Sequence, residues 1–401
     1  MTLPVRPSVL LVVFDTLSTR DLQAHVHDLP NLAALLADCV NFTHAYACSP
    51  ESGPARASLF TGLDMAAHGV WSDGVALPKR ETPMPEIFAQ SGYTSWLVGR
   101  RQLAGVSGWT TEHARPREYH HFDWAHGPLH LSGQNAYLAW LMEKTPTTFT
   151  DIFPHQANPD DTDIPGWQHD AIANLPDDLG FNTWVGQQAC ARIGPAPFFG
   201  VASFVVGQTK GSRGACPEAL DPRALKQADA TLGAILNTVP AGTIIALTAG
   251  RGSGTGDCLA DSAIHVPLAL RVPGFGARTV SETVSTMDVA PTLYRLAQRP
   301  APQRLQGTCL ITDEPRGWAL SRLRQPDHPH RTALMSQGWK LVTTHDDTQC
   351  AHLFDLSADP NETNDLANAA EHSGRVEQMI DQMIDARVAL EDRTEPRVAM
   401  F

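Results

Sequence analysis

A short segment of the chain, Ser52-Gly53-Pro54-Ala55-Arg56, combines residue types that can act on an anionic ester. Ser52 offers a hydroxyl nucleophile, Pro54 stiffens the turn after it, and Arg56 can return its guanidinium to an oxyanion held at Ser52. Apolar residues then begin a helix, whose first N–H groups would also point toward an anion. The segment predicts a nucleophile with an anion-holding partner, although such a short pattern often arises by chance.

Three other polar residues stand where a ligand could be reached. Asp15 ends the first apolar run, and open α/β sheets place ligand-binding residues at the carboxyl ends of their strands. A helix N-cap is the alternative for Asp15, since Thr16 and Ser18 also suit a helix start. His68 and His265 could each face a substrate, and for both a structural role is an equally open interpretation.

The apolar runs indicate which elements position these residues. Apolar stretches rich in β-branched residues recur at 9–14, 198–206, 243–247 and 266–272, at intervals long enough for helices. This rhythm predicts an α/β fold with a mostly parallel central sheet flanked by helices. The stretch 108–166 is rich in His, Pro, Thr and Asp, and it predicts long, irregular surface loops at the mouth of a cleft.

A different pattern begins near residue 304. It predicts a core domain, residues 1–303, followed by a small C-terminal α+β subdomain, residues 304–401. Short strand-like runs dominate there, and a turn-rich stretch spans 355–362. An amphipathic helix is predicted from about Glu371 to Leu390.

The composition limits the partners of the chain. It has 401 residues and a formal charge of −13, which argues against a sequence-independent grip on nucleic acid or on an anionic membrane. A small anionic ester or oxyanion would need a locally positive pocket. The first apolar run is too short to cross a bilayer, and the seven scattered cysteines suggest neither a disulfide framework nor a zinc site. A reducing cytoplasm fits this cysteine usage best, and a homo-oligomer is left open.

Over nearly its whole length the chain resembles the sulfatases, which belong to the alkaline phosphatase superfamily. Besides Asp15 and the Ser52 segment, a series of short motifs occurs in the order typical of that family. The motifs are Leu29-Pro30-Asn31-Leu32, His68-Gly69-Val70, Ser91-Gly92-Tyr93-Thr94, Val98-Gly99-Arg100, His265-Val266-Pro267-Leu268, Met287-Asp288-Val289-Ala290-Pro291-Thr292-Leu293, Leu353-Phe354-Asp355-Leu356, Asp359-Pro360 and Asn364-Asp365-Leu366.

The resemblance implies a role for several of these residues. In sulfatases the residue at the Ser52 position is a cysteine or a serine that is oxidised to formylglycine, whose hydrate attacks the sulfate ester. Ser52 is then the nucleophile, Arg56 its partner, and Asp15 a ligand of a divalent cation, usually calcium. A rival register starting at Cys48 has the proline but ends in serine where the arginine belongs. An unmodified Ser52 could instead attack a phosphate ester, as in the related alkaline phosphatases, if a metal or a base activated it.

The sequence departs from the family pattern at the metal site. Gly250 and Arg251 stand where the family has a metal-binding acid and its neighbour. A hard cation needs several oxygen ligands, so a lost carboxylate and an added guanidinium both weaken its binding. Asp257 or Asp261 could be recruited instead, several residues farther on. The chain is therefore interpreted as a divergent sulfatase relative with an eroded metal site.

Two further departures affect the predicted substrate positions. Arg100 and Gln102 replace the Lys and His of the family's Lys-x-His, and Gln208 follows a strand where a substrate-facing His is common. Guanidinium groups match tetrahedral oxyanions well. The hypothesis is that Arg56, Arg100 and Arg251 together surround an anion without a metal.

Two functions remain open after these comparisons of residues. One is a sulfuric or phosphoric ester hydrolase that retains its nucleophile, and the other is an inactive pseudo-sulfatase that binds an anion or a partner. A histidine-rich cluster could in addition bind a transition metal, although its spacing favours a structural interpretation. Its members are His113, His120, His121, Asp123, His126 and His130.

Overall fold

The computed structural model describes most of the chain. The described residues are 6–105, 110–153, 171–172, 174–195, 197–207, 219–253, 258–324, 329–344 and 347–391.

A central sheet of eight strands forms the frame of the molecule, in the order β4-β3-β5-β1-β6-β7-β2-β8. Neighbouring strands run parallel except at β7, which is antiparallel to both β6 and β2. The structure thus confirms the predicted α/β fold with a mostly parallel sheet. The strands are β1 (Val9–Thr16), β2 (Val40–Tyr46), β3 (Thr94–Gly99), β4 (His121–Trp124), β5 (Phe198–Phe204), β6 (Ile244–Arg251), β7 (Leu268–Arg271) and β8 (Arg278–Ser285).

The two faces of the sheet are covered by separate sets of helices. Because side chains alternate along a strand, Leu10 and Val12 of β1 enter one hydrophobic cluster while Leu11 and Val13 enter the other. Helices α2, α6, α8 and α9 contribute to the first cluster, and α3, α5 and α11 to the second. The helices of the core are α1 (Thr19–His25), α2 (Pro30–Ala37), α3 (Ser52–Thr61), α4 (Met65–His68), α5 (Met84–Gln90), α6 (Ala136–Lys144), α7 (Pro146–Ile152), α8 (Phe181–Arg192), α9 (Pro222–Thr238), α10 (Asp261–Ile264) and α11 (Val289–Leu296).

Helix α3 is the element that carries the Ser52 segment. It follows β2 after a five-residue connection, and all ten of its residues are buried. Gly62 ends it in the left-handed conformation at φ 69°, where a side chain would be strained, and its N–H caps the carbonyl of Ser58. The helix is therefore held on every side, which fixes the direction of its first turn.

A second, smaller sheet lies in the C-terminal part of the chain. Its four strands are antiparallel in the order β12-β11-β10-β9, and the final helix packs against them through Met379 and Met383. This confirms the predicted small C-terminal sheet with a terminal helix, while the domain boundary at residue 304 stays a prediction. The elements are β9 (Trp318–Leu323), β10 (Arg331–Ser336), β11 (Trp339–Thr344), β12 (Asp347–Asp355) and α12 (Ser373–Ala389).

The described part of the stretch 108–166, residues 110–153, contains strand β4 and helices α6 and α7. Long loops at the mouth of a cleft stay a prediction for the stretch as a whole, but these three elements were not expected from its composition. Asn135 caps α6 by accepting the N–H groups of Tyr137 and Leu138, and both of those side chains are buried. A cap followed by buried apolar residues outweighed the loop-like composition around it. Within the described ranges, no helix is long and apolar enough to cross a membrane.

Candidate functional site

The candidate site lies at the carboxyl edge of the central sheet, where β1, β5 and β6 end side by side. In the register of these strands, Val13 is opposite Ser203 on β5, and Thr16 is opposite Arg251 on β6. Asp15 therefore sits between the two neighbouring strand ends, and it is completely buried. This is the edge at which open α/β sheets bind ligands.

The Asp15 carboxylate is fully engaged by protein donors. Its Oδ1 accepts the backbone N–H of Val206 at 2.9 Å, and its Oδ2 accepts Nη1 of Arg100 at 3.0 Å. Helix α1 is capped instead by Ser18, whose hydroxyl accepts the N–H of Asp21, so Asp15 has no capping role. A guanidinium thus contacts the carboxylate that the resemblance assigned to a metal ion.

Arg56 lies at the same edge and is also fully buried. Its Nη1 donates to the carbonyl of Arg100 at 2.9 Å, and its Nη2 donates to the Ser203 hydroxyl at 3.0 Å. Its Nε–H has no hydrogen-bond partner. Burial, and next to it the charge of Arg100, lower the pKa of Arg56 to about 10, while Asp15 opposes this shift. Arg56 is therefore a buried cation without a paired carboxylate among the described residues.

Gly250 explains how the Arg56 guanidinium fits beside the strand end. A Cβ at this position would lie 3.2 Å from the carbonyl oxygen of Asp15 and 3.3 Å from Nε of Arg56. These distances are tighter than ordinary carbon contacts, so any side chain at 250 would press on the arginine. The absence of a side chain at Gly250 thus leaves room for the buried guanidinium of Arg56.

The described residues at this edge do not fit a divalent cation. Asp15 is already held by Arg100 and a backbone N–H, and Gly250 has no side chain to offer. Asp261, the suggested substitute, is bonded to His265 at 3.1 Å, and Asp257 lies outside the described residues. Across the described ranges, no three His, Cys, Asp or Glu side chains are grouped so that they could hold a metal. A calcium ion here would face a poor oxygen set and adjacent guanidinium groups.

Ser52 is the first residue of α3 and is 4% exposed. Its hydroxyl makes no hydrogen bond to a described residue, so none of the described residues is placed to activate it as a base. The next N–H of the helix, that of Gly53, is donated at 2.6 Å to the carboxylate of Asp73, an exposed residue that the sequence had not indicated. Part of the expected N-terminal anion site is therefore satisfied by the chain's own carboxylate.

His68 does not offer a free ring nitrogen to the site. Its Nδ1 accepts the N–H of Val70 at 3.0 Å, and its Nε2 lies 3.0 Å from the Ser58 hydroxyl. Burial, reinforced by the charge of Arg322, lowers the pKa of His68 to about 3. The ring is a neutral support between α3 and α4, which fits the structural interpretation left open by the sequence.

His265 is likewise engaged through both ring nitrogens. Nδ1 meets Asp261 at 3.1 Å, Nε2 donates to the carbonyl of Thr43 at 2.7 Å, and the ring stacks on Tyr46. Burial disfavours the imidazolium, but the hydrogen bond and the charge of Asp261 outweigh it and raise the pKa of His265. The residue ties α10 to β2 and has no nitrogen left for a substrate.

Of the three remaining predicted site residues, the structure describes Gln102 and Arg251 but not Gln208. Gln102 adopts φ 57°, donates its backbone N–H to Glu112, and has a buried side-chain oxygen without a partner. Arg251 is 7% exposed at the end of β6, and its carbonyl accepts the N–H of Leu17. Gln208 lies outside the described residues.

The histidine-rich cluster is divided among several structural contacts. His120 contacts the Ser95 hydroxyl at 3.1 Å, and Asp123 is held by two bonds from Arg192. His126 lies nearest the candidate site, because its carbonyl accepts Nε of Arg100. Its buried ring has a pKa well below the usual value, first because of burial and then because of Arg100. The expected structural interpretation agrees with this arrangement.

Comparisons with known proteins bear on the whole chain. The family model described as Sulfatase matches residues 7–134. An Escherichia coli protein named "Uncharacterized sulfatase YidJ" is 25% identical over 95% of this chain and 87% of its own length. A phosphonate monoester hydrolase from Silicibacter pomeroyi superposes with a TM-score of 0.74 at 17% identity, covering 97% of this chain and 96% of that structure. A 2-O GAG sulfatase gives a TM-score of 0.70 at 17% identity, covering 96% and 93%.

These superpositions show that the chain shares its fold with the phosphonate monoester hydrolase and with the sulfatase. The chain is similar to sulfatases, over residues 7–134 by the family model and over 95% of its length by the Escherichia coli relative.

Proposed function

We propose that the chain binds a sulfate or phosphate group, free or in a small ester, at the Ser52–Arg56 site without a resident metal, and acts as a pseudo-sulfatase. The observation that supports this most directly is the buried guanidinium of Arg56, whose charge has no carboxylate partner and whose Nε–H has no acceptor among the described residues. Buried charges in proteins are normally paired, because an unpaired one has lost its hydration without compensation. A bound oxyanion would supply the missing partner.

Two other arginines give an anion an approach to this buried charge. The Arg100 side chain is 12% exposed and Arg251 is 7% exposed, whereas Arg56 is not exposed at all. An anion at Ser52 would therefore contact the guanidinium groups of Arg100 and Arg251. The buried charge of Arg56 would attract it more strongly than an exposed charge, because the dielectric around Arg56 is low. Asp15 pairs with Arg100, and Arg56 has no carboxylate partner among the described residues, so its charge is left for an anion.

The divergence of the metal site belongs to the same proposal. The Asp15–Arg100 pair and the side-chain-free Gly250 support the interpretation that an internal guanidinium has replaced the metal. Hydrolysis of a charged ester needs groups that neutralise charge developing in the transition state and a base or metal that activates the nucleophile. Arginines can supply the first requirement, but no described residue supplies the second.

Ester hydrolysis at Ser52 is the second candidate function. It is favoured by the Ser52 hydroxyl itself, which stands unbonded at the first residue of α3, and by relatives that carry the name sulfatase or phosphonate monoester hydrolase. Oxidation of Ser52 to formylglycine would need a separate maturation enzyme. Both functions act on a small anionic ligand, and a cytoplasmic location accords with the reduced thiols of Cys39, Cys48, Cys190 and Cys309.

Binding is tested by calorimetry with sulfate and with phenyl phosphate, using chelator-treated protein. We expect the parent to bind and Arg56→Met to lose affinity at least tenfold, since a hydrogen bond to a charged group contributes roughly 1.5–3 kcal/mol. Arg295→Met removes one exposed arginine of α11 and serves as the matched control. Equal affinity of Arg56→Met and parent would contradict the proposal.

Activity is tested separately with an aryl sulfate and an aryl phosphate, each with and without Ca²⁺, Mg²⁺ or Mn²⁺. Mass spectrometry of the peptide that contains Ser52 reports whether the side chain is oxidised. An unmodified serine without turnover is the expected result. Formylglycine together with metal-dependent turnover would replace the binding proposal with hydrolysis.

A further inference from the structure

A cavity of about 490 Å³ lies between the core and the C-terminal sheet, away from the residues of the Ser52 site. The core lines it with Arg20 of α1 and with Leu259 and Ser262 near α10, and the C-terminal sheet contributes Arg331 and Lys340. Its volume is within the range of small-molecule pockets. We infer that this cavity is a second ligand site, which takes a small organic monoester of phosphate or sulfate.

The charge of the lining favours an anion. Among the described residues that line the cavity, Arg20, Arg331 and Lys340 are cationic and Glu362 carries the one carboxylate. This local excess is opposite in sign to the formal charge of −13 of the whole chain. A cavity with low-dielectric walls and charges of one sign concentrates oppositely charged ligands.

Arg20 is the cation best placed to receive the ligand. Its Nη1 donates to the side-chain oxygen of Asn361 at 2.6 Å, and its Nη2 donates to the carbonyl of Pro360. Both acceptors are neutral, and no carboxylate among the described residues lies within ion-pair distance. The two contacts hold the guanidinium plane fixed while its charge stays unpaired, which preorganises it for an oxyanion.

The opposite wall indicates that the ligand carries more than its acidic group. Lys340 is 1% exposed, donates to the carbonyl of Leu259 at 2.6 Å, contacts Glu362, and lies 5.6 Å from the ring of Phe354. Phe354 and Val342 form an apolar surface beside it. A bare oxyanion would leave this surface and much of the volume without contact, whereas a ring-bearing monoester fills both.

The probe for this site is phenyl phosphate, with benzyl alcohol as the neutral comparison, measured by calorimetry at low salt. We expect two binding events for phenyl phosphate, one in the cavity and one at the Ser52–Arg56 site, and none for benzyl alcohol. Arg20→Gln and Arg331→Gln should each raise the Kd of the cavity event at least tenfold. Arg295→Gln, which removes the same charge from the exposed face of α11, should leave both events unchanged.

The variants also separate this inference from the proposed function. Arg56→Met is expected to abolish the binding event at the Ser52–Arg56 site and to keep the event that depends on Arg20. If Arg56→Met abolished all binding, or if neither cavity variant weakened any event, the cavity would not be a ligand site. Arg331→Gln decides the matter alone if Arg20→Gln disturbs folding through its lost contacts, which thermal melting without ligand will reveal.

Discussion

Replacing Arg100 with methionine tests the idea that a guanidinium stands in place of a metal. The change keeps most of the side-chain length but removes the charge and the 3.0 Å contact to Asp15, leaving that fully buried carboxylate with one N–H donor. Removal of one partner from a buried ion pair costs about 3–5 kcal/mol, because the remaining charge stays buried and unpaired. Urea denaturation at pH 7 measures this loss in the free energy of unfolding.

The chain contains a matched control for this variant. Arg192 holds Asp123 at 2.6 and 2.8 Å, so the pair has good geometry, but the two side chains are 30% and 19% exposed. Arg192→Met should cost only about 1 kcal/mol, as is usual for pairs in contact with solvent. The reasoning is refuted if both variants lose the same stability.

A calcium titration completes this experiment. Arg100→Met frees one side of Asp15, but Gly250 still offers no second carboxylate. We therefore expect millimolar Ca²⁺ to leave the melting temperature of Arg100→Met unchanged, because an ion that binds only the folded state would raise it. A calcium-dependent increase would show that the arginine alone had blocked an intact metal site.

Three further predictions concern packing and protonation. Gly250→Ala should lower the free energy of unfolding by about 1–3 kcal/mol, because its added carbon overpacks against Arg56. Gly276→Ala is the control and should change stability little, since its added carbon meets nothing within 4 Å. Equal effects of the two variants in urea denaturation would contradict the close contact between position 250 and Arg56. His68 has a folded pKa of about 3, far below its unfolded value near 6.5, so the unfolded state binds more protons and stability falls as pH drops from 6.5 toward 3. The contribution is about 1.4 kcal/mol per pH unit, and a His68→Gln variant showing the same pH dependence as the parent would disprove it. Arg101 pairs with the buried carboxylates of Glu112 and Glu118. Arg101→Met removes both ion pairs and should lower the free energy of unfolding, measured in urea, by at least about 3 kcal/mol. A loss below about 1 kcal/mol would show that these ion pairs are not stabilising.

Much of the fold could be predicted from the sequence because buried parallel strands consist of continuous runs of apolar residues. Residues 9–14 and 243–247 gave β1 and β6 directly. The antiparallel direction of β7 was not predictable, since an apolar run carries no sign of direction and the pairing depends on distant strands. The helices α6 and α7 were missed because polar loop-type residues surround their short apolar stripes.

The candidate site could be predicted only where strand ends or helix starts fix the position of a residue. Asp15, Arg100 and Arg56 come together at the sheet edge. Asp15 lies at the end of a strand, Arg100 follows a strand, and Arg56 projects from a helix that begins at this edge. Ser203 was missed, although its place near the end of an apolar run was a usable signal. His68 and His265 were ambiguous because their role depends on which groups satisfy their ring nitrogens, which spacing does not show.

The Asp15–Arg100 pair also has a consequence for how the protein responds to its surroundings. A metal-dependent site gains or loses its cation as the free ion concentration changes, and a chelator can empty it. The guanidinium of Arg100, in contrast, is part of the polypeptide and cannot dissociate from it. The positive charge at this strand edge is therefore acquired at synthesis, and it stays the same whether calcium around the molecule is scarce or abundant.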